Sequence, residues 1–336
     1  SLMSYREAVD GQIMQEGICE TGAMASFMAA GTAYAVHGVP TIPFYIFYSM
    51  FGFQRVGDMV WACADMMTRG FLLGGTAGRT TLNGEGLQHE DGHSHLLAST
   101  FPNLKSYDPA FAYELAVIVR DGIHRMYELG ENIFYYITLY NENYTMPAMP
   151  DGDGVEEGII KGAYCWQSRE AEGEPVDILA SGSLMQQAIS DAKTLEELGY
   201  APAIWSVTSY IEWAREAESC ERRARLAPES ERTRPYVEQL FADAQGPVVA
   251  VTDYLKSLPG SIARWMPASY TVLGTDGFGL SESRPDLRDH FEVSARHIVQ
   301  AALAGLYREG RISEQEMREQ LAPQSVKIDK ADPSAR

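Results

Sequence analysis

Basic residues are scarce in this chain. Lysine and arginine total 27 against 46 aspartates and glutamates, giving a formal net charge of −19. Sequence-independent binding of nucleic acid needs a basic face to neutralise phosphates, so that class is excluded. For the same reason an anionic ligand must be held by a metal ion, by backbone amides or by another subunit. Cysteine is also scarce: Cys19, Cys63, Cys165 and Cys220 are scattered, with no C-x-x-C pair. That pattern reads as reduced thiols of a cytoplasmic protein. No apolar run reaches membrane length, and the opening residues do not read as a signal peptide. Ser1-Leu2 ahead of Met3 has the look of a cloning remnant.

What the chain does contain is 336 residues, 45% of them hydrophobic, enough for two α/β domains with sizeable cores. The densest chemistry lies in Gly78–His95, GRTTLNGEGLQHEDGHSH, with four glycines and three of the seven histidines. The apolar run Phe71–Thr76 enters it, which is the pattern of a buried strand opening onto a polar loop. In an α/β sheet ligands sit at the carboxyl ends of strands. His89-Glu90-Asp91-Gly92-His93 matches H-E-x-x-H literally. That zinc motif works only on a helix, and Gly84, Gly86 and Gly92 argue against one. Gly74-Gly-Thr-Ala-Gly78 lacks the Lys-Ser/Thr ending of a P-loop. Two readings remain: a loop presenting one or two histidines to a small-molecule cofactor, or a solvated loop with incidental histidines.

The remaining pattern alternates. A polar helix is expected over residues 4–16, then an Ala/Met-rich helix from Glu20 to about His37. Glu20 is either a first-turn acid complementing the helix dipole or a functional carboxylate. Strands are expected at 41–48, 71–76 and 132–139, with helices over 52–69 and 108–129, the latter capped by Asp108-Pro109. Tyr48 and Phe51 close the first strand, either as core or as walls for a flat ring. After a short helix near 155–163 the rhythm repeats, with strands at 176–181, 202–208, 247–252 and 270–274 and helices at 184–198, 209–225, 234–243, 254–265 and 293–308. Each domain is expected to hold a mostly parallel sheet flanked by helices. The expected division is residues 1–165, a linker at 166–175, a second domain at 176–323 and a frayed polar tail at 324–336. The second domain has His290 and His297 but no comparable loop, and reads as a packing and oligomerisation module.

GQIMQEGICE, IPFYIFYSMFGFQR, GRTTLNGEGLQHEDGHSH, NENYTMPAMP and LGTDGFGLSESR together resemble the thiamine-diphosphate enzymes of the transketolase superfamily. The resemblance is to their pyrimidine-binding and C-terminal domains, and within the superfamily to the homodimeric-type pyruvate dehydrogenase first components. It implies that Glu20 is the acid that hydrogen-bonds the cofactor's pyrimidine nitrogen and activates the thiazolium carbon, with its proton held by desolvation. It implies that Tyr48 and Phe51 pack the aminopyrimidine and that His89 lies near the substrate. His93 and His95 are weaker candidates, for substrate contact or for ordering the loop.

The departures matter as much. The family's diphosphate-binding domain carries G-D-G followed by an Asn that helps ligate Mg²⁺. Here Gly152-Asp153-Gly154 follows a Pro-rich stretch, and no Asn occurs after Asn143, so the match is a decoy. The chain is therefore expected to be a fragment or a separately encoded half, with Mg²⁺ ligands supplied by a diphosphate-binding domain or subunit and no metal site of its own. The implied reaction is decarboxylation of pyruvate and acetyl transfer to lipoyl on dihydrolipoyl acetyltransferase, in a homo-oligomer within a multienzyme complex. The alternatives are two-carbon transfer of the transketolase type, for which the loop offers only Arg79 as a phosphate-binding cation, and a non-catalytic half chain acting as an interaction module.

Overall fold

Short apolar runs separated by helices close most economically as a parallel sheet covered on both faces. The computed structural model shows that arrangement twice, and it describes residues 7–227, 233–242, 244–267, 269–326 and 329–335. The first unit runs α1 (Glu20–Val36), β1 (Phe44–Tyr48), α2 (Gly52–Asp65), β2 (Phe71–Gly75), α3 (Ser94–Ala98), β3 (Leu104–Tyr107), α4 (Ala112–Ile123) and β4 (Phe134–Thr138). Its four strands are all parallel, in the order β1-β2-β4-β3. The second runs α5 (Val155–Lys161), β5 (Tyr164–Gln167), β6 (Glu174–Ala180), α6 (Met185–Glu197), β7 (Tyr200–Ser206), α7 (Tyr210–Leu226), α8 (Tyr236–Leu240), β8 (Val248–Val251), α9 (Ser257–Gly260), β9 (Tyr270–Leu273), α10 (Arg284–His290), α11 (Ala295–Arg308) and α12 (Glu314–Leu321). Its order is β5-β7-β6-β8-β9, with only β5 antiparallel.

Aromatics fill the first core. Phe71, Phe134, Tyr135 and Tyr136 are fully buried, and Phe47 stacks on Tyr136 at 6.0 Å between centroids. The second core is aliphatic, with Val176, Ile178, Val249, Val251, Ile298 and Leu303 between the sheet, α6 and α11. Among the described residues no helix is long and apolar enough to cross a membrane.

Several elements depart from the sequence reading. Residues 7–19 are not helical, and residues 4–6, like the Ser1-Leu2 pair, lie outside the described residues. The stretch has no apolar stripe to dock a helix. Asp108 does not cap α4. The first amides are satisfied by Glu114, whose Oε2 accepts from Ala110 at 2.6 Å and Phe111 at 3.1 Å. The expected helix over 254–265 is broken into α9 and a separate turn at Ala263–Trp265. The short α3 and β3 were not expected. β5 pairs with β7, so the second sheet begins at Tyr164. In the tail, the Pro333 carbonyl lies against Gly277, so that part is packed and not frayed.

Candidate functional site

The site forms where β1 and β2 end. Tyr48 pairs with Gly75 at the last rung, and Phe51 directly precedes α2. Glu20 is the first residue of α1, which Cys19 caps by accepting from the Gly22 amide at 3.4 Å. A cleft of about 360 Å³ lies between these ends, lined by Gly17–Glu20, Ala23, Tyr45–Tyr48, Gly75 and Thr76. Thr76 has φ of +50°, rare for a β-branched residue and a cost sustained only by its surroundings. Its buried Oγ1 has no hydrogen-bond partner among the described residues.

The structure brings four of the six sequence-predicted residues together. The His89 ring meets Phe51 edge-on at 5.3 Å and Tyr48 at 5.8 Å. Arg55, on the first turn of α2, stands 4.1 Å over the Phe51 ring and forms an ion pair with Glu20. Glu20, Arg55, Phe51, His89 and Tyr48 therefore make one continuous group. His89 Nδ1 is buried without a hydrogen bond among the described residues, 3.8 Å from the Glu85 carboxylate.

The other two histidines stand apart. His93 Nε2 contacts Gln54 Nε2 at 2.9 Å. His95 is buried, with Nδ1 2.7 Å from Ser106 Oγ and Nε2 3.1 Å from Thr138 Oγ1, so both ring nitrogens are engaged inside the protein. Burial lowers its pKa below the ordinary histidine value. This geometry orders the loop and leaves His95 no open face for substrate. Nor do His89, Glu90 and His93 share a helix, since α3 begins only at Ser94. Among the described residues no three His, Cys, Asp or Glu side chains converge on a metal-sized site.

The glycine- and histidine-rich loop is largely buried, because the second unit grips it. Asp253 accepts from the Thr80 amide (2.8 Å) and hydroxyl (2.7 Å) and from the Thr81 amide (3.1 Å) and hydroxyl (2.6 Å). Gly78 lets this approach happen: its φ is +88°, and a Cβ there would sit 2.3 Å from Asp253 Oδ2. The Arg79 guanidinium donates to the carbonyls of Thr275 and Gly277. The one cation of the loop is thus committed to backbone and cannot take a phosphate. Burial raises the Asp253 carboxyl above its usual range and pushes Glu90 up to about 7. Burial also drives the Tyr45 hydroxyl, whose oxygen lies 3.4 Å from the Glu20 carbonyl, up to about 12.

A larger groove, about 870 Å³, runs between α4 and α5. Its charges are paired among themselves, Arg120 with Glu156 and Lys161 with Glu157, both at 2.6 Å. Gly152-Asp153-Gly154 is exposed and simply precedes α5.

The 360 Å³ cleft suits a planar heteroaromatic ring: aromatic walls at Tyr48 and Phe47, a carboxylate at Glu20, and the free hydroxyl of Thr76. Sequence reasoning missed Arg55, Thr76 and Asp253. Gly74-Gly-Thr-Ala-Gly78 could have flagged Thr76. No local pattern marks Asp253, which lies more than 170 positions from its partners.

The chain is similar to known proteins. Residues 1–147 match the family model described as pyruvate dehydrogenase E1 component middle domain, and residues 162–294 match transketolase-like TK C-terminal domain. The pyruvate dehydrogenase E1 component of Pseudomonas aeruginosa is 51% identical over 335 residues, covering 99% of this chain and 38% of that protein. That of Escherichia coli K12 is 51% identical over 332 residues, covering 98% and 37%. The chain thus spans well under half the length of these relatives. Among solved structures, transketolase from Leishmania mexicana superposes with a TM-score of 0.65 at 18% identity, covering 87% of this chain and 37% of that one. A split-gene transketolase, described as an inactive beta4 tetramer, superposes at 0.56 with 18% identity, covering 87% and 83%.

Proposed function

The chain belongs to the pyruvate dehydrogenase E1 group of the transketolase superfamily, and from that membership we propose that it builds the pyrimidine half of a thiamine-diphosphate site. The first unit is the pyrimidine-binding domain and the second the transketolase-like C-terminal domain. The reaction served is decarboxylation of pyruvate, with acetyl transfer to lipoyl on dihydrolipoyl acetyltransferase in a cytoplasmic multienzyme complex.

The observation that supports this reading is the contact chain from Glu20 through Arg55 and Phe51 to His89 and Tyr48, whose two ends, Glu20 and Tyr48, line the cleft. When bound, thiamine diphosphate supplies the carbanion-stabilising chemistry that releases carbon dioxide from a 2-oxo acid. The protein's part is orientation and proton handling. With the cofactor bound, Glu20 would meet the pyrimidine ring nitrogen, Tyr48 and Phe51 would hold the ring, and the Thr76 hydroxyl would offer one more polar contact. His89, whose ring is partly exposed, would position or protonate the substrate. The cleft is open on one side, and Glu20 there is not yet shielded from water. Closing it requires the diphosphate-binding domain or subunit, which also brings the Mg²⁺ ligands, in a homo-oligomer.

The test is calorimetric titration with thiamine diphosphate and Mg²⁺ of this chain alone and of the full-length polypeptide carrying it, followed by pyruvate. The expected result is no tight binding by the chain, and binding with carbon dioxide release by the full-length protein. A full-length protein that binds the cofactor but only moves two-carbon units between sugar phosphates would overturn the assignment.

A further inference from the structure

His89 sits on a tight turn, Gly86–Glu90. The amides of His89 and Glu90 both donate to the Gly86 carbonyl, at 3.1 and 3.2 Å. The Glu90 carboxylate fastens this turn at two points. Its Oε1 accepts from the Gly86 amide at 3.2 Å, closing the turn on itself. Its Oε2 accepts from the Leu280 amide at 2.7 Å, crossing to the second unit. The side chain is fully buried, while Leu87 and Gln88 at the tip of the turn are exposed. The fit on the inner side is close: a Cβ on Gly279 would stand 2.5 Å from Glu90 Oε2 and 2.8 Å from its Cβ. The flanking contacts run the same way, with the Gly84 amide donating to the Glu282 carbonyl at 3.0 Å. The His89 ring, for its part, makes no hydrogen bond at Nδ1 among the described residues; it meets the Tyr48 and Phe51 rings and lies 3.8 Å from the Glu85 carboxylate, contacts that leave much of its placement to its backbone. Its place is therefore set by where its backbone is held.

We propose that Glu90 is a positioning residue: its carboxylate latches the turn carrying His89 to the Gly279-Leu280 segment of the second unit and so fixes where the imidazole stands over Tyr48 and Phe51. The second unit then takes part in the site without lending it a side chain. This rests on the reading of His89 as a substrate-facing group.

The contact can be broken from either side. E90A removes the latch from the first unit. E90Q keeps one acceptor and turns an amide group toward a backbone donor. G279A pushes on the carboxylate from the second unit without altering any first-unit residue. Each is made in the full-length polypeptide beside H89A. The readouts are kcat and KM for pyruvate per folded molecule, the Kd for thiamine diphosphate, and the ¹H–¹³C NMR resonance of the His89 ring. E90A and G279A are expected to lower kcat by roughly 10- to 100-fold, the scale of a misplaced reacting group. Cofactor Kd should be unchanged and the His89 resonance shifted, with E90Q intermediate. Full turnover per folded molecule in E90A and G279A, alongside lost turnover in H89A, would overturn the latch. So would an unmoved His89 resonance. Full turnover in H89A would instead remove the role given to His89, and the resonance alone would then decide whether Glu90 holds the turn.

Discussion

The two sheets follow the same parallel logic yet finish differently at their edges. In the first, edge strand β1 leaves Phe44, Ile46 and Tyr48 exposed by 47, 66 and 48%. In the second, the edge strands β5 and β9 are mostly half-buried and present no comparable row of exposed large apolar side chains. An uncovered row of large apolar side chains on a sheet is uncommon in a free-standing protein and marks a contact surface. It lies beside Glu20 and the cleft, where the proposed reaction needs a second wall. The sealed sheet does the opposite work: it supplies Asp253 and Leu280 as fixed points for the loop that carries His89. One unit stays open to be completed, and the other is closed so that it can hold.

The sharpest way to break this contrast is at the open side. Glu20→Gln in the full-length protein should lower turnover by about 10²–10⁴-fold, the range for a lost proton-transfer group, with melting temperature nearly unchanged. Loss of folding with normal turnover per folded molecule would make Glu20 only a helix-terminal acid. Next in size is the brace. Asp253→Ala strands two amides and two hydroxyls of Thr80 and Thr81. It should cost on the order of 2–4 kcal/mol in denaturant unfolding. A change within experimental error would show that the two units do not depend on this contact.

The smallest effect concerns acid. Burial, with Lys330 nearby, lowers His297 to about 4. The folded protein then keeps it neutral while the unfolded chain takes a proton below about 6.5, so stability falls as pH drops from 6.5 toward 4. By pH 5.5 this amounts to about 1 kcal/mol. Glu90 works in the reverse sense. Its raised value of about 7 means that the folded state binds the proton first, and stability from this group is lost as pH climbs from about 4.5 to 7. His297→Gln should flatten the acid limb of a melting-temperature profile, whereas Glu90→Gln should flatten the slope toward neutrality. Identical slopes in both variants would contradict the division.

The sequence showed what local pattern can show. The apolar runs of β1, β2 and β4 and the amphipathic faces of α4, α6 and α11 were readable because burial imposes period and composition on neighbours. β3, Leu-Lys-Ser-Tyr, was not, because half its residues are polar and only its pairing with β4 makes it a strand. The expected helix over 254–265 is cut down to α9, which carries Pro259 and ends at Gly260, the two poorest helix formers. At the site, the family motifs pointed to Glu20, Tyr48, Phe51 and His89, which the fold places together. The Arg55 contact with Glu20 and the grip of Asp253 were hidden, since each depends on residues far apart in the chain.

The reach of Asp253 also sets an order of events during synthesis. Thr80 and Asp253 are separated by 173 positions, so on a ribosome adding about 5–20 residues per second the loop waits roughly 10–35 s for its anchor. During that interval the first sheet can form from its own contacts, but the turn bearing His89 has nothing to close against. A nascent chain would thus carry the first sheet and the cleft at its end before it carries a placed His89. The turn would stay unanchored until Asp253 had been made.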